Sequence, residues 1–471
     1  MSIHSSPDIH SAEIRSGVVR LSPAAADRTP LALAAVCIAF FMVLLDGSAL
    51  NVALPSIRAD LHGTLASMQW TVNAYTVPLA AVLLSGGAMG DRWGARRVFA
   101  WGLVAFTVAS LVCSLSPNLA LLVAARAVQG AAAAAVLPST LTIIARSYAD
   151  TVERSRAITV WGATGASGLI VGPLLGGFLT VDFGWRSIFL INVPVGLATV
   201  ALALLFVRET PANPNRHFDL AGQASVTLAV AALVAGLIQG GAAGWASAST
   251  LVLLAAAVVL GALFVAVELR TGEPVLPLGM FARGAFTAAI SNGFAFQLGG
   301  YGVQFMLAVY LQTRWHESAL ATGLYFVPFA VAWVFGTIVP ARRLVHRGPR
   351  WLLWTGATVS LAGTLPLLAL AGPRSLPLLL AGTTLIGFGC GVFSPSLNAA
   401  VFLAVEPAQS GLASGVLNSA RQLGMAIGVA LLGAFLALPD VELGMRIDLL
   451  IVAACFASIV LLSRRWVRSN A

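Results

Sequence analysis

The 471-residue chain is 58% hydrophobic and 10% charged, with a mean hydropathy of +0.90, which excludes an ordinary soluble domain and points to an integral membrane protein. Its net charge of +9 is no nucleic-acid footprint, because all 27 basic residues are Arg and stand singly or in small groups at the ends of apolar runs. The four cysteines lie inside apolar runs without CxxC or Cys/His spacing, and the six histidines lie in the tail or connecting segments, so neither a metal site nor a cofactor is expected.

In chain order, residues 1 to 29 read as a polar, disordered cytoplasmic tail rather than a signal peptide. The first span follows in FFMVLLDGSALNVALP, residues 40 to 55, with a carboxylate, Asp46, at its middle. A charge there costs about 2.5 to 3.5 kcal/mol on insertion, so a chain that keeps one has a use for it, and reversible proton binding suits a carboxyl. A span needs ~20 mainly apolar residues. By that ruler fourteen are predicted, centred near residues 42, 78, 106, 132, 168, 197, 229, 259, 297, 330, 361, 387, 424 and 456.

After the second span comes GGAMGDRWGARR, in which Gly87 and Gly94 permit close backbone approach and a tight turn while Asp91, Arg92, Arg96 and Arg97 supply charge. Span four carries Arg126. Span five sets Gly165, Gly168, Gly172, Gly176 and Gly177 around Pro173, a spacing for close helix contact and a local bend. Polar stretches such as RETPANPNRH, 208 to 217, and HRGPR, 346 to 350, punctuate later connections. Arg421 falls within span thirteen, either lining an interior cavity or reaching for the interface.

With the N-terminus placed inside, the inner loops and tails hold 20 Arg and the outer loops five, Arg58, Arg186, Arg314, Arg374 and Arg446, so both termini are expected in the cytoplasm. The span-four run GAAAAAVLPS, from Gly130 to Ser139, returns in span twelve as GFGCGVFSPS, from Gly387 to Ser396, at an offset of 257. Gly94 and Gly348 are offset by 254, and Gly172 and Gly428 by 256. Three near-equal offsets predict two copies of one six-helix unit in the same orientation, with spans seven and eight inserted. The expected fold is an all-α integral membrane protein of fourteen transmembrane helices. One bundle occupies 30–208, the inserted pair and its linkers 209–270, the second bundle 271–466, and a short cytoplasmic tail 467–471. Two parallel bundles suit rocking about a central site, the architecture of a carrier.

The stretches LDGSALNVALP in span one, GGAMGDRWGARR after span two, RAVQG in span four, GLIVGPLLGG in span five and WRSIFLINVPVG entering span six carry a resemblance, joined by DLAGQ, YLQ and NSARQLGMAIGVA farther on. Together they resemble the major facilitator superfamily and, within it, the fourteen-span drug/proton antiporter branch. The resemblance covers nearly the whole chain after the tail; the loop motif points to the superfamily and the span-five and span-six motifs to exporters.

It implies that spans one and four lie side by side at a cavity, so that Arg126 stands near Asp46 and their separation tunes proton affinity. By the repeat offset Asp46 corresponds to Gly302 and Arg126 to Thr383, which confines that chemistry to the first half. It implies that Asp91 docks near the start of span thirteen, around Ser410, and latches the inner gate. Ala95 departs from the family, which more often has a basic residue there. It implies an antiporter hinge at Gly168, Gly172, Pro173, Gly176 and Gly177. It implies a substrate cavity whose candidates are Asn51, Trp70, Asn73, Tyr75, Gln129, Trp161, Asn292, Gln297, Tyr301, Gln304, Tyr325, Asn398, Asn418 and Arg421.

No second membrane-embedded acid is expected, which disfavours dications and leaves monovalent cations, neutral lipophiles and weak acids open. The expected function is proton-coupled antiport that exports hydrophobic small molecules, drugs or antibiotics, across the bacterial inner membrane by alternating access. Its partners are the substrate, protons and the lipid bilayer, with no nucleic acid, and a monomer is expected. Two alternatives stay open: a carrier dedicated to one metabolite, lipid or siderophore, and a non-transporting sensor or scaffold. The sequence holds no GxxxxGK[ST] loop, no GxSxG elbow and no metal-ligand cluster, which speaks against an enzyme.

Overall fold

A computed structural model describes residues 29–148, 150–209, 219–271, 276–343, 348–370, 374–406 and 409–467, with the side chains of a few helical positions left out. Of the tails predicted at 1–29 and 467–471, residues 1–28 and 468–471 lie outside the described residues, as do the side-chain surroundings of Gly87 and Ser410.

Every regular element among the described residues is helical, as a chain in lipid requires when its backbone groups must bond internally. Helices α1 (Thr29–Asp60), α2 (Leu65–Trp93), α3 (Ala95–Ser114), α4 (Leu119–Ser147) and α5 (Thr151–Asp182) come first. Two pieces follow, α6 (Ser187–Leu190) and α7 (Asn192–Phe206), then α8 (Leu220–Ala243) and α9 (Ala248–Glu268). Past a short 3-10 turn come α10 (Gly284–Arg314), α11 (Ala319–Tyr325), α12 (Val327–Arg343), α13 (Gly348–Leu370), α14 (Leu376–Leu403), α15 (Ser410–Leu436) and α16 (Val441–Trp466).

Where the chain re-enters a helix, polar side chains satisfy the free N–H groups. Thr64 and Ser67 make a capping box at α2, and Asn118, Asp150, Asp219, Ser247, Ser318 and Asp440 cap α4, α5, α8, α9, α11 and α16. Twelve helical stretches among the described residues are long and apolar enough to cross a membrane, with α6–α7 counted as one and α11 joined to most of α12 as another. The two predicted spans outside that set fall on α2 and α5, helices of 29 and 32 residues.

The packing repeats. In the first half α1 lies on α5 and α7, α2 on α4, and α3 on α4 and α7; in the second, α10 lies on α15 and α16, α12 on α14, and α13 on α14 and α16. The repeat reaches atomic detail where helices nearly touch. A Cβ on Gly130 would stand 2.0 Å from the Tyr75 carbonyl oxygen, and a Cβ on Gly387 would stand 2.3 Å from the Phe329 carbonyl oxygen, so both crossings require glycine. Gly94 and Gly348 adopt positive φ values of 90° and 77° at equivalent turns.

The halves meet along α2–α15, α5–α11 and α1–α10. Gln69 Nε2 donates to the carbonyls of Val429 (3.1 Å) and Ala430 (2.7 Å), and Gln312 Nε2 donates to Val52 O (3.0 Å). The Gln69 bonds lie near the N-terminal end of α2 and the Gln312 bond in the C-terminal half of α1. Helix α8 fills the seam between α2 and α15, with Val234 and Ile238 packed against Val77, Ala426 and Ala430, while α9 rests mainly on α8.

Candidate functional site

Asp46 lies midway along α1 and is 3% exposed; Arg126 on α4 is 1% exposed. Arg126 Nη1 donates to Asp46 Oδ2 at 2.5 Å, and its other contacts hold it in place. Its Nε donates to Thr71 O (3.2 Å), Nη1 also reaches Gln129 Oε1 (2.7 Å), and its Cζ sits 4.3 Å from the centre of the Tyr75 ring and 5.7 Å from that of Phe189. The second carboxyl oxygen of Asp46 accepts from Asn192 Nδ2 (2.8 Å) and Gln129 Nε2 (3.1 Å), and Gln129 Nε2 also donates to Ser110 Oγ (2.7 Å). Helices α4 and α7 thus bond a carboxyl carried by α1, and α3 joins them through Ser110 on Gln129. An ion pair in apolar surroundings persists only with such full hydrogen bonding.

A cavity partly open to solvent adjoins this cluster. Phe296, Phe326, Phe329 and Trp333 supply its apolar wall, and Gln297, Tyr301, Gln304 and Arg421 its polar groups. Tyr301 joins the two features, because its hydroxyl donates to Gly47 O at 2.9 Å, one residue from Asp46. Pro173 of α5 closes another side. Of the two readings open for Arg421, the structure selects the cavity wall.

The other sequence candidates fall elsewhere. Gln129 and Tyr75, expected to line the cavity, are 0% and 3% exposed and belong to the ion-pair cluster. Asn292 donates to Ser463 Oγ (3.1 Å) and joins α10 to α16, Trp161 stacks on Phe40 at 4.0 Å, and Trp70 packs near α8. Asn51 and Asn73 are buried, and Asn51 Oδ1 and both polar atoms of the Asn73 amide lack partners. Tyr325, Asn398 and Asn418 are half-buried outside the cavity wall.

Sequence reasoning also missed residues. Asn192 stood in the quoted INVPVG, where an amide inside an apolar run was the available signal. Asp448 on α16 corrects the expectation of no second embedded acid: it is 0% exposed, and both its carboxyl oxygens lack partners. It stands two residues from Arg446 near the start of α16, a position that reads as water-facing until that helix packs against α10 and α13.

In the loop motif, Arg97 Nε pairs with Glu209 (3.3 Å) and Arg96 donates to Leu204 O, while Arg92 lies over Trp93. Asp91 is exposed, and no bond from it to α15 is among those described. On α5, a Cβ on Gly172 would run into Ser48, whose hydroxyl donates to Gly168 O (3.1 Å). Farther along the same helix Pro173 O approaches Gly323 and Gly177 approaches Ala319 O. The glycine motif therefore touches α1 on one face and the opposite half on another.

A family model described as the Major Facilitator Superfamily matches residues 36–429 and, overlapping them, 336–468. The chain belongs to the major facilitator superfamily. This facilitator is 32% identical over 446 residues to the methylenomycin A resistance protein of Streptomyces coelicolor, covering 94% of this chain and 93% of that one. It is 38% identical to the cephamycin export protein CmcT of Amycolatopsis lactamdurans (85% and 84% covered) and 34% identical to the multidrug resistance protein Stp of Mycobacterium tuberculosis (86% and 76% covered). A crystal structure of a POT family transporter in complex with a thioalcohol-conjugated peptide shares the fold at a TM-score of 0.70 with 15% identity, covering 93% of this facilitator and 96% of that chain. The protein is a multi-pass membrane transporter.

Proposed function

We propose that this facilitator exports hydrophobic small molecules across the bacterial inner membrane in exchange for protons, by alternating access. The observation that carries the reading is Asp46, a fully enclosed carboxyl whose neighbour Gly47 holds Tyr301 on the cavity wall. Protonation of Asp46 removes the charge that Arg126, Asn192 and Gln129 all face, so α1 is freed to shift against α4 and α7. Ser48 and Gly172 pass that shift to α5, and Pro173 and Gly177 pass it to the other half. One proton crossing 100 mV supplies about 2.3 kcal/mol, which sustains a neutral-substrate gradient of about fifty-fold.

In this reading the chain crosses the membrane fourteen times, with α2 and α5 added to the twelve stretches. Two six-helix lobes at 30–208 and 271–466 flank the inserted pair. The Arg asymmetry puts both termini in the cytoplasm. The contacts between halves then gather toward the outer side, which supports an inward-open state. Ion pair and cavity both lie within one chain, which supports a working monomer.

The names of the relatives support export of antibiotics or drugs. Two of them name a single compound, which favours, as a second reading, a carrier dedicated to one metabolite; growth protection against a panel of diverse compounds separates the two, broad protection supporting the first. For coupling, protein in liposomes with an imposed pH gradient should accumulate a lipophilic fluorescent dye, and Asp46→Asn should insert normally yet lose accumulation. Uphill accumulation by Asp46→Asn equal to wild type would refute the assignment.

A further inference from the structure

Two arginines lie within the helices at the heart of the molecule, and their surroundings differ. Arg126 is saturated by a carboxylate, an amide, a backbone carbonyl and two aromatic rings. Arg421 has one described contact of that kind, the ring of Phe296 with its centre 5.6 Å from Cζ. No hydrogen bond or ion pair to it is among those described, and no acidic residue lines the cavity it faces. Its stem passes over Gly293, where a Cβ would lie 3.4 Å from Arg421 Cγ, so the side chain has room to extend toward the cavity.

We propose that Arg421 makes this cavity selective for organic anions, specifically flat aromatic carboxylates. The inference rests on the transport reading of the cavity and adds the substrate class. A guanidinium presents its N–H donors in a planar fork that fits both oxygens of a carboxylate, and in apolar surroundings such a charge-assisted pair is strong. A cationic ligand meets an uncompensated like charge there, so the cavity discriminates against it. The remainder of the wall suits the aromatic body. Phe296 lies 5.8 Å from Trp333, and Trp333 lies 5.7 Å from Phe329, three lining rings in mutual contact, with buried Phe393 backing Phe296 at 4.9 Å. Gln304 adds an amide for an additional polar group, while Gln297 Nε2 is directed at Met425 Sδ (3.8 Å).

The test uses the full chain in detergent at pH 7.5 with no gradient, reading quenching of tryptophan fluorescence, to which Trp333 contributes. Three probes of one shape carry the comparison: naphthalene-2-carboxylate, 2-naphthylmethanol and 2-naphthylmethylammonium. Wild type should bind the carboxylate at least tenfold more tightly than the alcohol, and the ammonium more weakly than either. Arg421→Gln should remove the carboxylate preference while retaining the alcohol, and Arg421→Lys should keep part of it. Should Arg421→Gln fail to fold, Gln297→Glu supplies the second measurement, because Gln297 reaches Met425, one turn of α15 from Arg421, and a carboxylate there should compensate the Arg421 charge and erase the anion preference. Equal affinities for the three probes in wild type, or a preference unchanged in the folded variants, would overturn the proposal. Binding without a gradient is independent of Asp46 coupling, so loss of proton-driven transport with intact anion preference would sink the antiport reading alone.

Discussion

At the scale of single residues, two of the three buried acids among the described residues are treated in opposite ways. Asp46 is given three side-chain donors, and Asp448 is given none. The difference predicts how each tolerates mutation. Removing the cation from a buried pair leaves an uncompensated charge, so Arg126→Gln should lower stability by about 3 to 5 kcal/mol, and Asp46→Asn in the same chain should restore most of it without restoring uphill transport. Asp448→Asn loses no described hydrogen bond and removes a potential buried charge, so its unfolding temperature should match or exceed wild type. One thermal-unfolding series in detergent reads all of these variants. A fall for Asp448→Asn comparable with that for Arg126→Gln would mean that Asp448 has a partner in the working protein.

Among the helices, crossings are set by residues that lack side chains. Gly130 on α4 meets the backbone of α2 at Tyr75, and Gly387 on α14 meets Phe329 on α12. A backbone carbonyl cannot rotate away as a flexible side chain does, so a methyl group at either position forces the helices apart. Gly130→Val and Gly387→Val should each cost about 1 to 3 kcal/mol or more and reduce the yield of folded protein to similar extents, measured by size-exclusion chromatography. Similar losses are expected because the two crossings are copies of one design. A variant indifferent to the change would show that the crossing on that side is looser than its partner.

For the whole molecule, rocking of two lobes makes a geometric demand that a local gate does not. When one end of the seam closes, the opposite end must open. Spin labels on Trp93 and Phe402 report the end that carries the Asp91 motif, and labels on Leu115 and Leu376 report the other; all four positions are exposed. In a chain with its four cysteines replaced, lowering the pH or mutating Asp46→Asn should change the two pair distances with opposite signs, read by pulsed electron spin resonance. Changes of one sign, or at one end alone, would argue for a gate without lobe motion. Helix α8 belongs to this scale also, since it contacts α2 and α15 together and must accommodate any movement between them.

The primary structure alone determined that the chain lives in lipid, where its apolar runs begin and end, that Asp46 and Arg126 stand inside them, and that spacings near 254 to 257 residues relate the two halves. These are properties of composition, length and repetition, and they survive without knowledge of which helix touches which. Tertiary structure decided the rest: Asn192 and Gln129 on the Asp46 carboxyl, Arg421 at the cavity, Asp448 sealed away, Asn292 bonded to another helix, and α8 in the seam. The reason is that lipid and protein interior are both apolar, so a transmembrane helix carries little of the polar and apolar alternation that marks the inward face of a soluble one. Which face turns inward, and what a lone polar side chain meets there, is settled only when the helices pack.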